Sequence, residues 1–189
     1  MYRIAVTNRL LCQGDFLARV EMLAKGEKYQ AILLREKDLT EEEYETLASE
    51  VLAITEHYGK KCILHSFVHV AEKLCHPYLH LPLSLWEKIP MEKRRKMRDI
   101  FQEIGTSVHS ASQLQEAVAL GADYVTAGHI FTTDCKKGLP PRGLSFLHDI
   151  CEQSPFPVYG IGGITEDNEE DVIRQGAAGV CIMSGCMRD

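Results

Sequence analysis

Long apolar runs, basic charge and paired cysteines are all scarce in this sequence. No stretch approaches the roughly 18 consecutive apolar residues of a membrane span, and the opening MYRIAVTNRL lacks a basic segment followed by a long apolar one. A soluble, cytoplasmic protein with no membrane partner is therefore expected. Lys and Arg number 21 against 27 Asp and Glu, a formal net charge of −6, which excludes a surface built to wrap nucleic acid. The one dense basic segment, Lys88 to Arg98, reads as a solvated helix face. Seven cysteines (12, 62, 75, 135, 151, 181 and 186) are an odd number, and none are spaced as CxxC. Zinc-ribbon and dithiol redox chemistry are thereby excluded, and reduced thiols are expected.

What is present is a chain of 189 residues with 45% hydrophobic content, enough to fold as a single domain over residues 1–189. Short β-rich apolar runs recur at Tyr2–Val6, Ala31–Leu34, Cys62–His65, Tyr78–Leu81, Thr106–His109, Tyr124–Ala127, Val158–Ile161 and Val180–Met183. Segments of helical period lie between most of them. In the clearest, Tyr44, Leu47, Ala48, Val51, Leu52 and Tyr58 share a face behind Thr40 and Glu43 in capping-box spacing. Ser110 with Gln113, and Thr165 with Glu166 and Asp167, predict two further helix starts. Gly121 and Gly176 each end a helix and lead into a strand. Eight apolar strands alternating with helices imply α/β architecture, a compact (β/α)₈ TIM barrel. Only Ser184 to Asp189 follow the eighth run, so a full closing helix is expected to be missing.

In such a barrel the chemistry belongs at the C-terminal strand ends. There Gly162-Gly163, after the seventh strand, and Ser184-Gly185, after the eighth, are placed to present backbone N–H groups to a phosphate. The alternative is that the glycines serve only a tight turn. Thr165 stands where a dinucleotide fingerprint needs its third glycine, so a Rossmann reading is weak. Gly128 to Gly143 form a long polar loop after strand six, a lid by composition, with Lys136, Lys137 and Arg142 to offset substrate charge. His129 stands at its base, where an imidazole can take and return a proton. His65, His69, His76 and His80 suggest a metal by spacing, but their strand and helix placement would scatter them, so no metal is expected.

The stretches Gly105–Ser110, Ala122–Gly143, Pro157–Thr165 and Gly176–Gly185 stand in the order and spacing of the thiamine phosphate synthase / TenI superfamily, which the chain resembles over nearly its whole length. Ile32 to Lys37 looks like its second-strand motif. Synthases of that superfamily are expected to hold Mg²⁺ on carboxylates against a pyrimidine diphosphate. Here the segment after strand three reads His65-Ser66-Phe67 and that around strand four reads His80-Leu81-Pro82-Leu83-Ser84-Leu85, without the expected aspartates. The loop Gly128-His129-Ile130-Phe131 resembles the TenI-type thiazole tautomerases instead. That resemblance implies an isomerase aromatising a carboxythiazole phosphate, with no metal or other cofactor. His129 would be the acid/base, while Gly162, Gly163, Ser184 and Gly185 would cradle the phosphate. Arg35, Lys37, His109 and Lys136 would contact the substrate, a small phosphorylated thiazole, and a homodimer is the family habit. Thiamine phosphate synthase activity is the alternative, and a non-catalytic TenI-type regulator the second alternative.

Overall fold

The computed structural model describes residues 1–136 and 138–188. In chain order the regular elements are β1 (Tyr2–Val6), α1 (Phe16–Lys25), β2 (Ala31–Leu34), α2 (Glu41–His57), β3 (Lys61–His65), α3 (Val68–Lys73), β4 (Tyr78–Pro82), α4 (Leu83–Trp86), α5 (Met91–Ile100), β5 (Glu103–Val108), α6 (Ala111–Leu120), β6 (Tyr124–Gly128), α7 (Gly143–Gln153), β7 (Val158–Ile161), α8 (Glu169–Arg174), β8 (Gly179–Ile182) and α9 (Ser184–Arg188). The strands close into a barrel in the order β1 to β8. Paired neighbours run parallel, in registers such as Leu33 with Ile63, His65 with His80, and Gly128 with Ile161. This is the (β/α)₈ architecture expected from the alternation of apolar runs and amphipathic segments. Among the described residues, no helix is long and apolar enough to cross a membrane.

Two compact units carry these elements. One comprises Arg3–His80, Ile89–Glu103 and the stretch from Met183. Its core sets Val20, Leu23 and Ala24 of α1 and Tyr44, Ala48 and Val51 of α2 beside the buried Ile32, Leu34 and Leu64, each larger aliphatic contributing about 1.5–3 kcal/mol at full burial. α2 starts where Thr40 and Glu43 cap it reciprocally, with Thr40 N donating to Glu43 Oε2 at 2.9 Å and Glu43 N to Thr40 Oγ1 at 3.3 Å. The triplet Glu41 to Glu43 then lies on the positive end of the helix dipole. α5 bears out the solvated basic face: Met97 is buried while Arg95, Lys96 and Arg98 are exposed.

The other unit comprises Met1–Tyr2, Leu81–Lys88 and Ile104–Ile182. Leu114, Ala117, Leu147, Ile150 and Val172 of its helices are buried, as are Val125 and Val180 of its strands. β5 begins three residues before the expected Thr106, because Gly105 contributes no side chain to an apolar pattern. The Tyr124 ring occupies the place a Cβ at Gly105 would take. α6 ends on Gly121 at φ +79°, the left-handed stop its sequence predicts.

Three local expectations are corrected. Gln113 does not reach back to Ser110 N; its Oε1 accepts from His109 N at 2.7 Å, while Ser110 Oγ accepts from Gln113 N at 3.2 Å. The helix expected from Thr165 starts at Glu169, because Asn168 Oδ1 accepts from Thr165 N and closes a turn first. Ser184 and Gly185, expected in a strand-end loop, are the first residues of α9.

Candidate active site

In the first unit, Arg35, Glu36 and Lys37 follow β2 directly. Thr7 organises them: its hydroxyl donates to Glu36 Oε1 at 2.6 Å and accepts from Arg35 N at 2.9 Å. Arg9 N donates to both Glu36 oxygens at 3.1 and 3.0 Å, and the Arg9 guanidinium grips Asp38 at 2.7 Å. Burial pushes the Glu36 carboxyl above its usual range, against the Thr7 hydrogen bond that pulls it down. Both acids of this segment are therefore taken up by Thr7 and Arg9.

Beside them lie His65 and His80, register partners at the ends of β3 and β4. Their rings stack at 5.4 Å and 21°, and both residues are buried, at 4% and 1% exposure. The Ser66 hydroxyl meets His65 Nδ1 at 2.6 Å, and Ser66 N donates to His80 O at 3.0 Å, with Ser66 at φ +70°. Tyr44 of α2 backs the pair, its hydroxyl donating to Leu34 O at 2.7 Å and accepting from His65 N at 2.9 Å. Desolvation holds His65 well below the usual imidazole range, and the neighbouring His80, Lys37 and Arg35 press it further down. Desolvation, then Lys37 and Arg35, push His80 down to about 3. Both rings are thus neutral at ordinary pH. The expectation that these histidines scatter holds for His76, which bonds Cys62 O at 2.9 Å. It fails for His65 and His80, because strand register is a tertiary fact that spacing does not carry.

In the second unit, His109 stands just past β5, its Nδ1 2.6 Å from Gly128 O. A carbonyl only accepts, so Nδ1 carries the proton, and the neutral ring presents Nε2 as an acceptor. Burial lowers this imidazole, and Arg142, Lys136 and His129 add a smaller push. His129 is half-buried with Nε2 3.4 Å from Leu139 O. Its main chain accepts from Arg142 N at 3.0 Å. The loop after β6 is stitched to the exit of β7 by Ile130 N to Ile161 O at 3.0 Å and Phe131 N to Gly162 O at 2.9 Å.

Gly162 and Gly163 carry φ of +101° and +68°. A Cβ on Gly162 would collide with His129, and one on Gly163 with Thr132 and Phe131. The loop's close approach therefore requires both glycines, whatever else they bind. Lys136 is exposed in a short 3₁₀ turn, Asp134–Lys136; Lys137 lies outside the described residues. Of the sequence-predicted residues, this unit brings together His109, His129, Lys136, Gly162 and Gly163. The other unit holds Arg35, Lys37, Ser184 and Gly185. Thr7 and Tyr44 owe their hydrogen-bonding roles to partners remote in the chain, Glu36 and His65, and the helical stripe predicted only that Tyr44 faces the core.

Residues 3–186 match the protein family TMP-TENI, thiamine monophosphate synthase. The chain belongs to this family. A thiamine-phosphate synthase 2 of Streptococcus pneumoniae is 32% identical over 97% of this chain and 86% of its own length. A thiamine-phosphate synthase of Clostridium novyi is 30% identical over 97% of the chain and 89% of its own. The solved thiamine phosphate pyrophosphorylase of Pyrococcus furiosus superposes with a TM-score of 0.83 at 29% identity, covering 100% of this chain and 88% of its own. These relatives overturn the expected tautomerase, and with it the isomerase class: nearly full-length similarity runs to proteins named as synthases. The tautomerase expectation weighted one loop and two absent acids above the rest of the chain. In the structure, His129 in that loop meets the Leu139 carbonyl.

The Mg²⁺ expected of a TMP-TENI synthase is not fitted by the donors present at β2 to β4. Hard cations take oxygen ligands. The ends of β3 and β4 offer buried imidazoles beside Arg35 and Lys37, while Glu36 is held by Thr7 and Arg9. Among the described residues, no group of three or more His, Cys, Asp and Glu is placed to hold a metal ion.

Proposed function

We propose that this chain is a thiamine-phosphate synthase-type transferase of the cytoplasm, joining a phosphorylated pyrimidine to a phosphorylated thiazole. The observation that carries this is the similarity at 30–32% identity over 97% of the chain to proteins bearing that name. In the reaction a bond forms between the two heterocycles as the pyrimidine's bond to its diphosphate breaks. The protein's task is to orient both partners and to stabilise the charge gathering on the departing pyrophosphate.

The two cationic clusters suit two anionic substrates. Arg35 and Lys37 take the diphosphate, Arg35 as a planar fork and Lys37 as a point charge. Lys136, with His129 and the backbone of Gly162 and Gly163, takes the thiazole phosphate, and His109 Nε2 offers an acceptor to bound water. Ser184 and Gly185, at the head of the one-turn α9, are assigned no step.

Incubation with thiazole phosphate, hydroxymethylpyrimidine diphosphate and excess Mg²⁺ tests the reading. Thiamine phosphate should accumulate catalytically, and Arg35→Gln should slow it by about tenfold or more, the scale of one lost charge-assisted hydrogen bond. Absence of product from folded protein at saturating substrates overturns it.

A further inference from the structure

Between the end of β2 and the start of α2 the chain runs from Arg35 to Thr40 as turn and loop, and such a segment keeps its shape only through bonds to its neighbours. Arg9 reaches it at two points. Its main-chain N–H donates to Glu36 Oε1 and Oε2 at 3.1 and 3.0 Å, and its guanidinium donates through Nη1 and Nη2 to Asp38 Oδ2, each at 2.7 Å. Lys37 therefore sits between two residues tied to the same partner. That partner is itself braced. Arg9 opens a 3₁₀ turn, Arg9–Leu11, in which Asn8 Oδ1 accepts from Leu10 N at 3.2 Å and Asn8 O accepts from Leu11 N at 3.0 Å. The outer contact is partly wet, with the Arg9 side chain 30% exposed and that of Asp38 49%. An ion pair of this kind adds little to global stability. Two donors converging on one carboxylate oxygen do, however, fix the direction of the contact.

We propose that Arg9 is a positioning residue: it clamps the loop after β2 at Glu36 and Asp38, and so fixes where Lys37 stands for the pyrimidine diphosphate, without touching the substrate itself. Its guanidinium is engaged by Asp38, and the two charges offset each other. The two acids that flank Lys37 are then the loop's points of attachment. A Lys37 on an unclamped loop would have to be ordered by the ligand, at the expense of affinity. That Lys37 meets a diphosphate rests on the synthase reading; that Arg9 holds the loop rests on the hydrogen bonds alone.

Arg9→Met, Asp38→Asn and the double variant, each compared with the wild-type full chain, test the clamp in two ways. Arg9→Met keeps the main-chain bond to Glu36, so the fold should survive. By ¹⁵N relaxation, the backbone order parameters of residues 36–39 should fall in every variant from a rigid value of about 0.85 toward about 0.6. In steady-state kinetics each single substitution should raise KM for hydroxymethylpyrimidine diphosphate by about fivefold and leave KM for thiazole phosphate unchanged. The double variant should be no worse than either single one, because both remove the same contact. Arg9→Lys, which keeps a positive charge on Asp38, should recover part of the loss. Unchanged order parameters overturn the proposal, as do kinetic effects that add. So does an Asp38→Asn variant whose KM stays or falls while Arg9→Met raises it, since Arg9 would then meet the substrate itself. Product formation with order parameters unmoved sinks the clamp and leaves the synthase reading standing. A folded wild type that makes no product, with order parameters that fall in the variants, sinks the synthase reading and leaves the clamp.

Discussion

A buried imidazole is a proton acceptor that folding disables. His65 and His80 have an ordinary value of 6.5, and the fold lowers both, His80 to about 3. When the folded value is the lower one, the unfolded chain takes up protons first as pH falls. Stability is therefore fully present above about pH 6.5 and drains away toward the folded values, with a limiting slope of about 1.4 kcal/mol per pH unit for each proton. Glu36 acts in the opposite sense, since burial raises its value above 4.5 and protonation relieves the cost of an ionised buried carboxyl. His76 and His109 are also lowered and share the histidine trend. A comparison of His80→Asn with wild type isolates one ring from these. Urea midpoints of the wild type should fall between pH 7.5 and pH 5, and the variant's should fall less steeply. Parallel curves would refute a neutral His80.

Among the elements, α2 shows how far local chemistry reaches. Its capping box, acidic first turn and buried stripe were all readable, because each depends on residues within a few positions of one another. Even so, the stripe is completed by Thr55, whose hydroxyl is absorbed by Val51 O at 3.0 Å, and Tyr58 is only half-buried. Thr40→Ala removes the side-chain half of the box and should lower stability by about 1 kcal/mol. Chemical denaturation should show a shifted midpoint and an unchanged m-value; an unshifted midpoint would mean that α2 starts without its cap. The start of α8 was misread for a related reason, since Thr165 and Asn168 both suit a cap and only the bond from Thr165 N to Asn168 Oδ1 decides between them. Gly162 and Gly163 were read as a phosphate turn, whereas their visible demand comes from the β6 loop lying against them. That approach joins segments more than 30 residues apart, beyond what a local pattern expresses.

For the whole molecule, the alternation of apolar runs and amphipathic segments was enough to read a closed barrel, since parallel strands buried on both faces have few other solutions. The branch within the family was not legible in the same way. Two missing aspartates and one histidine pointed to a tautomerase, while similarity spread along the chain points to synthases. A net charge of −6 likewise conceals cations collected at particular strand ends. Tyr44, which ties Leu34 O to His65 N and stacks on Phe67 at 4.1 Å, gives this molecule an optical reporter of its own unfolding. Burial raises that phenol far above its ordinary 10, so alkali ionises the accessible tyrosines while Tyr44 stays protonated for as long as the fold persists. An alkaline titration followed by phenolate absorbance should therefore finish with a step that coincides with loss of the circular dichroism signal. Tyr44→Phe should remove that one chromophore from the step, and a final absorbance rise well before the dichroism changes would show that the hydroxyl is not sealed in.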